Sequence, residues 1–196
     1  MKHKRPEGEP VGAVGVLDGK HDGERVLERY DATVHVGIKT IVCHAAIERV
    51  DDGEETIELP KPRELRASAA MVRCLMPIRL RGYELKAIRK ILGYTLSELA
   101  EKLDAKTAIE TVSRWESEAQ PMGGYAEKVF RLLACEQLKD DAPGVSYTAK
   151  NISDLIVKDP WRANPEYEQP YVVLTLIKMK EISGSIIETW NAKLAA

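Results

Sequence analysis

The stretch TVSRWES, residues 111–117, sets hydroxyls and one guanidinium around a valine and a tryptophan. At about 3.6 residues per turn, Val112, Trp115 and Ala119 share one helical face, while Thr111, Ser113, Arg114 and Ser117 project elsewhere. One face packs inward. The other offers short hydrogen-bonding groups and a cation to a flat, negatively charged surface. An ordinary surface helix has the same pattern, so the neighbouring elements must decide. Catalytic chemistry has weaker support: the best polar constellation is Cys43-His44, with no acid, base or nucleophile at a required spacing, so no enzyme is expected.

The elements around that stretch are short and helical. GYELKAIRKILG lines up Leu85, Ile88 and Leu92 and stops at Gly93. TLSELAEKL opens on Thr95 with Glu98 three residues later, a capping box, and turns Leu96, Leu99, Ala100 and Leu103 inward. TAIE repeats the device with Thr107 as cap and Glu110 three later. Pro121 and Gly123-Gly124 break the chain, and a last helix comes after them, with Val129, Leu132, Leu133 and Leu138 as its apolar residues. Arg79, Arg81, Lys86, Arg89 and Lys90 form a basic run, either a solvated face or one turned to phosphate.

Two short helices joined by a tight turn make a helix-turn-helix. IRKILGYTLSELAEKL and ETVSRWES together resemble the XRE, or lambda-repressor/Cro, class of DNA-binding domains, over residues 82–135. More loosely, the chain resembles two-domain antitoxin-type regulators without their zinc ribbon. The resemblance implies a recognition helix at about 108–118 in the major groove, with Arg114 reading a base; an arginine there can fork onto guanine O6 and N7. Ile109 matches a position able to pack on a thymine methyl. Glu110 matches one able to accept from cytosine N4, unless the cap uses it. Thr111, Ser113 and Ser117 are further candidate contacts, and Thr107 joins the same set. Lys106 and Lys90 are candidate phosphate partners. Leu96 stands where the family often has a glutamine, so that phosphate contact is either lost or moved to Thr95 or Ser97. The resemblance also implies an ion pair between Arg89 and Glu116. One departure is the interval from Leu103 to Thr111, two residues longer than the common spacing.

The 196 residues carry a formal charge of −2, so attraction to nucleic acid has to come from a local patch. Cys43, Cys74 and Cys135 lie far apart with no CxxC, which reads as ordinary thiols in a reducing compartment without metal or cofactor. With no apolar span and no apolar signal core, a cytoplasmic protein is expected, nucleoid-associated when on DNA. Residues 1–29 read as a flexible arm, whose Lys2, Lys4 and Arg5 can touch phosphate. Residues 30–78 read as a small β-rich segment plus a helix, with a strand in TVHVGIKTIV, a turn at Gly53, Pro62 opening the helix and Pro77 ending it. Residues 79–138 are the helix-turn-helix, and residues 139–196 a C-terminal segment closing in a β-hairpin around SGS. The expected fold is α+β: a central all-α domain of the lambda-repressor-like type flanked by small β-rich segments. The expected function is a dimeric, possibly autoregulatory repressor on a pseudo-palindromic operator in double-stranded DNA. The alternative is an antitoxin whose flanking segments bind a toxin protein.

Overall fold

Residues 30–78 and 139–196, read as two separate flanks, meet in a single sheet. The computed structural model describes residues 24–51, 54–104, 106–180 and 185–192. The first 23 residues, the turn at Gly53 and most of the SGS turn lie outside the described residues, as do Lys2, Lys4 and Arg5. Strands β1 (Glu24–Asp31), β2 (Thr40–Asp51) and β3 (Glu54–Glu58) form an antiparallel group centred on β2. Strands β4 (Val172–Lys180) and β5 (Ile186–Ala192) form the expected C-terminal hairpin. β2 and β4 pair in parallel, from Thr40 opposite Val172 to Cys43 opposite Thr175. Parallel neighbours need a long crossover. Here the crossover contains nearly all the described helices.

Near the sheet the structure departs from the sequence expectations. Residues 24–29, included in the arm expected over residues 1–29, belong to β1. The first part of TVHVGIKTIV is a helical turn, α1 (Thr33–Val36), not strand. Asp31 accepts the Thr33 N–H at 2.9 Å, and Gly37 closes the turn at φ 82°. A glycine takes that left-handed conformation at no steric cost. Within β2, His44 adopts φ 52°, and the pairing skips so that His44 and Ala45 lie opposite Glu28 alone. That is a β-bulge, which bends the strand and re-aims its later residues.

The helix α2 (Pro62–Leu75) carries Pro62 in its first turn, where a missing N–H costs nothing. Leu65, Ala69, Val72 and then Leu75 or Met76 recur at helical spacing; the first three are buried and the last two half-buried, but every residue from Ala67 to Cys74 is buried as well. α2 is enclosed because it packs on β4 and β5 and also on a second long helix, α6 (Gly124–Leu138). The inward face of α6 is Phe130, Ala134, Cys135 and Leu138; of the four apolar residues expected to define it, only Leu138 is fully buried, and Leu132 is exposed. The phase was misread because α6 buries an ion pair, Glu127 with Arg131 at 2.7 Å, which looks like a polar face in an apolar periodicity. Two short helices complete the chain's path back to β4, Ala149–Ser153 (α7) and Pro160–Ala163 (α8). No described helix is long and apolar enough to cross a membrane.

Two buried guanidiniums staple the link from α2 to the next helix. Arg73 bonds the carbonyls of Ile78 and Arg79 at 2.9 and 2.6 Å. Arg131 bonds those of Cys74, Met76 and Ile78 at 2.6 to 2.8 Å. Truncating Arg131 leaves the Cys74 and Met76 carbonyls without their donor and the Glu127 carboxylate without its counter-charge in the core. Arg131→Ala is expected to lose about 3–5 kcal/mol of stability in urea denaturation. A loss under about 1 kcal/mol would mean that the staple is not tightly held.

Candidate nucleic-acid interface

Three helices lie beyond the staple: α3 (Gly82–Ile91), α4 (Leu96–Leu103) and α5 (Ile109–Glu116). Leu85, Ile88, Leu99, Ala100 and Val112 are buried and form the seam between them. Gly93 turns the chain at φ 77° after α3, and Thr95 then starts α4. The Thr95 hydroxyl accepts the Glu98 N–H at 3.2 Å, and the Glu98 carboxylate accepts the Thr95 N–H at 2.7 Å. The bond from the Thr95 N–H first, and the Thr95 side chain second, hold the Glu98 carboxyl below its ordinary range.

The second capping box does not form. α5 starts one residue later than Thr107 allows, its N-cap is Ala108, and no side chain caps it. The two extra residues in this interval are taken up by a turn around Asp104, whose carbonyl accepts from Thr107 N–H at 2.8 Å and whose carboxylate accepts from Lys106 N–H at 3.1 Å. Glu110 is therefore not committed to a cap and stands exposed. Ala119, grouped with Val112 and Trp115 in the helical face, lies beyond the end of α5 and is exposed; Trp115 is half-buried.

What holds α5 is α3. The Arg89 guanidinium meets the Glu116 carboxylate at two points, 2.5 and 2.9 Å, and spends a third N–H on the Tyr94 carbonyl at 2.7 Å. The hydrogen bond to Glu116 raises the Arg89 pKa further. About two turns earlier on the same side, Gly82 lies under the end of α5. A Cβ at this position would stand 2.4 Å from the Glu116 carbonyl oxygen and 2.7 Å from that of Trp115. Just past α5, Glu118 sits at φ 60° and accepts from Arg81 at 2.8 and 2.6 Å and from Gly82 N–H at 2.9 Å. Partial burial pushes the Glu118 carboxyl up, but these bonds outweigh it and leave the group below its ordinary range. Arg81 is backed by the Trp161 ring, 5.1 Å from its centroid. The sequence reading missed Gly82 and Glu118 and took Arg81 only as part of the basic run. A glycine directly after an arginine at a helix start was the available signal, though it does not tell which backbone approaches.

The basic run divides. Arg79 pairs with Asp159 at 2.9 Å, Arg81 with Glu118 and Arg89 with Glu116, so three of its five cations are internal braces. Lys86 and Lys90 are exposed and have no partner among the described residues. On α5, Ile109, Glu110, Ser113, Arg114 and Ser117 are all exposed and fall within an arc of roughly 140° at 100° per residue. The Arg114 side chain has no partner among the described residues, and the Ser117 hydroxyl bonds back to the Arg114 carbonyl at 3.3 Å. Thr111 is half-buried, Lys106 is exposed and Thr107 half-buried in the preceding turn, and Thr95 is exposed at the start of α4. α5 thus presents one cation, two hydroxyls, one carboxylate and one apolar side chain on a single convex face.

The model of the Aca2/YdiL-like family, a helix-turn-helix family of the antitoxin and regulator type, matches residues 80–142. The match begins at the staple and ends just beyond α6, so it takes in α3, α4, α5 and their brace, and it supports a DNA-binding role of regulator or antitoxin type. No curated protein and no solved structure matches the chain.

Gly82→Ala is expected to cost at least about 3 kcal/mol in urea denaturation, the upper end for overpacking, because the clash is with backbone. A near-neutral Gly82→Ala would show that α3 and α5 are not in close contact. The Glu118 clamp carries a pH signature. Its carboxyl is depressed, so its contribution is present above the unfolded value, about 4.3, and is lost as pH falls through the folded value. The stability advantage of the wild type over Glu118→Gln is therefore expected at pH 6 and should shrink as the pH falls below the ordinary carboxylate range.

Proposed function

We propose that this protein is a sequence-specific DNA-binding regulator that reads the major groove with α5. The observation that carries the reading is the exposed arc of α5, with Arg114 lacking any partner among the described residues, on a helix whose other face is fixed by Val112 and by the Arg89–Glu116 pair. A side chain that reads bases must be free, and its helix must be held still. Both conditions favour α5 over the ion-paired arginines of α3. The family match over residues 80–142 points the same way.

In this reading the arrangement of α3, α4 and α5 is of the lambda-repressor-like type. Arg114 forks onto a guanine, Ile109 and Glu110 lie over neighbouring base edges, and Ser113, Thr111 and Ser117 add contacts to base or phosphate. Lys106, Thr107 and Thr95 set the register on the backbone, with Lys90 a further candidate. One such unit covers a short site. Two copies on a pseudo-palindrome, with half-sites about 34–36 Å apart, supply the remaining affinity, so the acting species is a homodimer that represses by occupying a promoter, its own among the first candidates. The antitoxin reading is supported by the type of family matched; there the sheet or the N-terminal residues would bind a toxin protein while α5 keeps the same role on DNA.

Footprinting on the DNA upstream of this protein's gene, at two salt concentrations, tests the reading. A protected, two-fold symmetric site that persists against competitor duplex is the expected result. Arg114→Ala should lower the preference for that site over unrelated duplex by about tenfold or more. Lys106→Ala should weaken all duplexes alike and reduce the salt slope by about 0.9. Unchanged selectivity in Arg114→Ala would remove α5 from the groove.

A further inference from the structure

A cleft of about 750 Å³ lies between α1, α2, α3 and the end of α6. Its rim is strongly cationic in a chain whose formal charge is −2. Arg63 and Arg66 reach it from α2, Lys86 and Lys90 from α3, and the one acid on its lining is Asp141. Asp141 is already used, since Arg63 bonds it at 2.9 Å. Arg66 gives its Nε–H to the Pro62 carbonyl at 3.1 Å and keeps the two terminal nitrogens of its guanidinium without a partner among the described residues. The ammonium groups of Lys86 and Lys90 have none there either. Three cations thus surround one concavity with no internal counter-charge. Between them the wall is mixed, with Val34, Ala87 and Ile91 beside His35, Gln137 and the part-exposed Tyr83.

We infer that this cleft is a binding site for a phosphorylated small molecule that carries an apolar or aromatic body, such as a nucleotide. Unpaired arginine and lysine ends are the groups that take phosphate oxygens. The volume falls within the roughly 300–1,000 Å³ of small-ligand sites and exceeds what a lone phosphate fills, which leaves room for a body against Tyr83. The major groove of a duplex admits a protruding helix, whereas this feature is a cleft. α3 forms one wall of the cleft and also carries Arg89 and Gly82, which hold α5, so occupancy is linked to the helix proposed to read DNA. That link rests on the DNA-binding reading; the occupancy does not.

Calorimetric titration of the full chain with ATP and with inorganic pyrophosphate, without metal and at fixed ionic strength, tests the inference. Saturable binding of one ATP per chain is expected, weakened at least tenfold in the Arg66→Ala/Lys86→Ala double variant, whose urea midpoint should match the wild type. The double variant should also retain its affinity for operator DNA in the absence of nucleotide. Linear, non-saturating heats, or equal ATP binding by the double variant, would overturn the site. So would a double variant that loses operator affinity while neither ATP nor pyrophosphate saturates the wild type, which would make the cleft part of a duplex path. A chain that protects no operator yet binds ATP through Arg66 and Lys86 would keep this inference and lose the regulator reading.

Discussion

α3 and α5 touch through backbone at Gly82, where no side chain larger than hydrogen fits beneath the Trp115 and Glu116 carbonyls. The two-point Arg89–Glu116 pair lies further along the same contact, and the Arg81–Glu118 clamp lies at its end. A short helix of two turns has little intrinsic stability. α5 has no side-chain cap either, so its position is a property of its contacts with α3 and α4. Those contacts occupy its inner face and its C-terminal end. They leave the arc from Ile109 to Ser117 with no structural duty, which is the arrangement a reading helix needs.

The brace is only as well placed as the entry to α3, and two buried ion pairs govern that entry. Arg73 with Glu84, and Arg131 with Glu127, are both shielded from water. Such pairs add little net stability compared with apolar residues of similar volume. Their donors, however, satisfy the carbonyls of residues 74, 76, 78 and 79, and the Glu127 carboxylate accepts from Leu80 N–H at 2.9 Å. A connector buried without such partners would carry unsatisfied backbone groups. The link runs outward from the sheet through α2, then the arginine staples, then α3, and finally α5. The parallel pairing of β2 with β4 closes this path into one body, since the helices lie between the strands that it joins.

Local signals were legible where a single residue type has one physical use. Thr95 with Glu98 specified the start of α4, Gly93 the end of α3, and Pro62 the opening of α2. The C-terminal hairpin was legible in its β-branched residues. The non-local features were not legible. Nothing in Thr40–Cys43 or Val172–Thr175 announces that they pair, because parallel register is set by what packs around it. Periodicity misjudged α6 because Glu127 and Arg131 are charged and yet interior, a combination that is allowed only by partners far away in sequence. Thr107 has the right type for a cap, but the longer turn around Asp104 shifted the helix start past it. At the candidate interface, the residues of α5 could be read from the sequence. The Arg89–Glu116 pair was implied by the resemblance, but that Arg79 and Arg81 are paired as well could not be read, since it depends on acids at positions 159 and 118.

Chemical-shift mapping of the full chain, titrated with the duplex it protects upstream of its own gene, examines the central claim most directly. If α5 reads DNA while α3 holds it, the large perturbations will cluster on residues 109–117 and the turn before them, and the Arg114 guanidinium signal will shift strongly. The Arg89 guanidinium signal, already committed to Glu116, will stay nearly fixed. Perturbations concentrated on the sheet or around Arg66 and Lys86, with α5 unmoved, would contradict the account and place the nucleic acid elsewhere on the molecule.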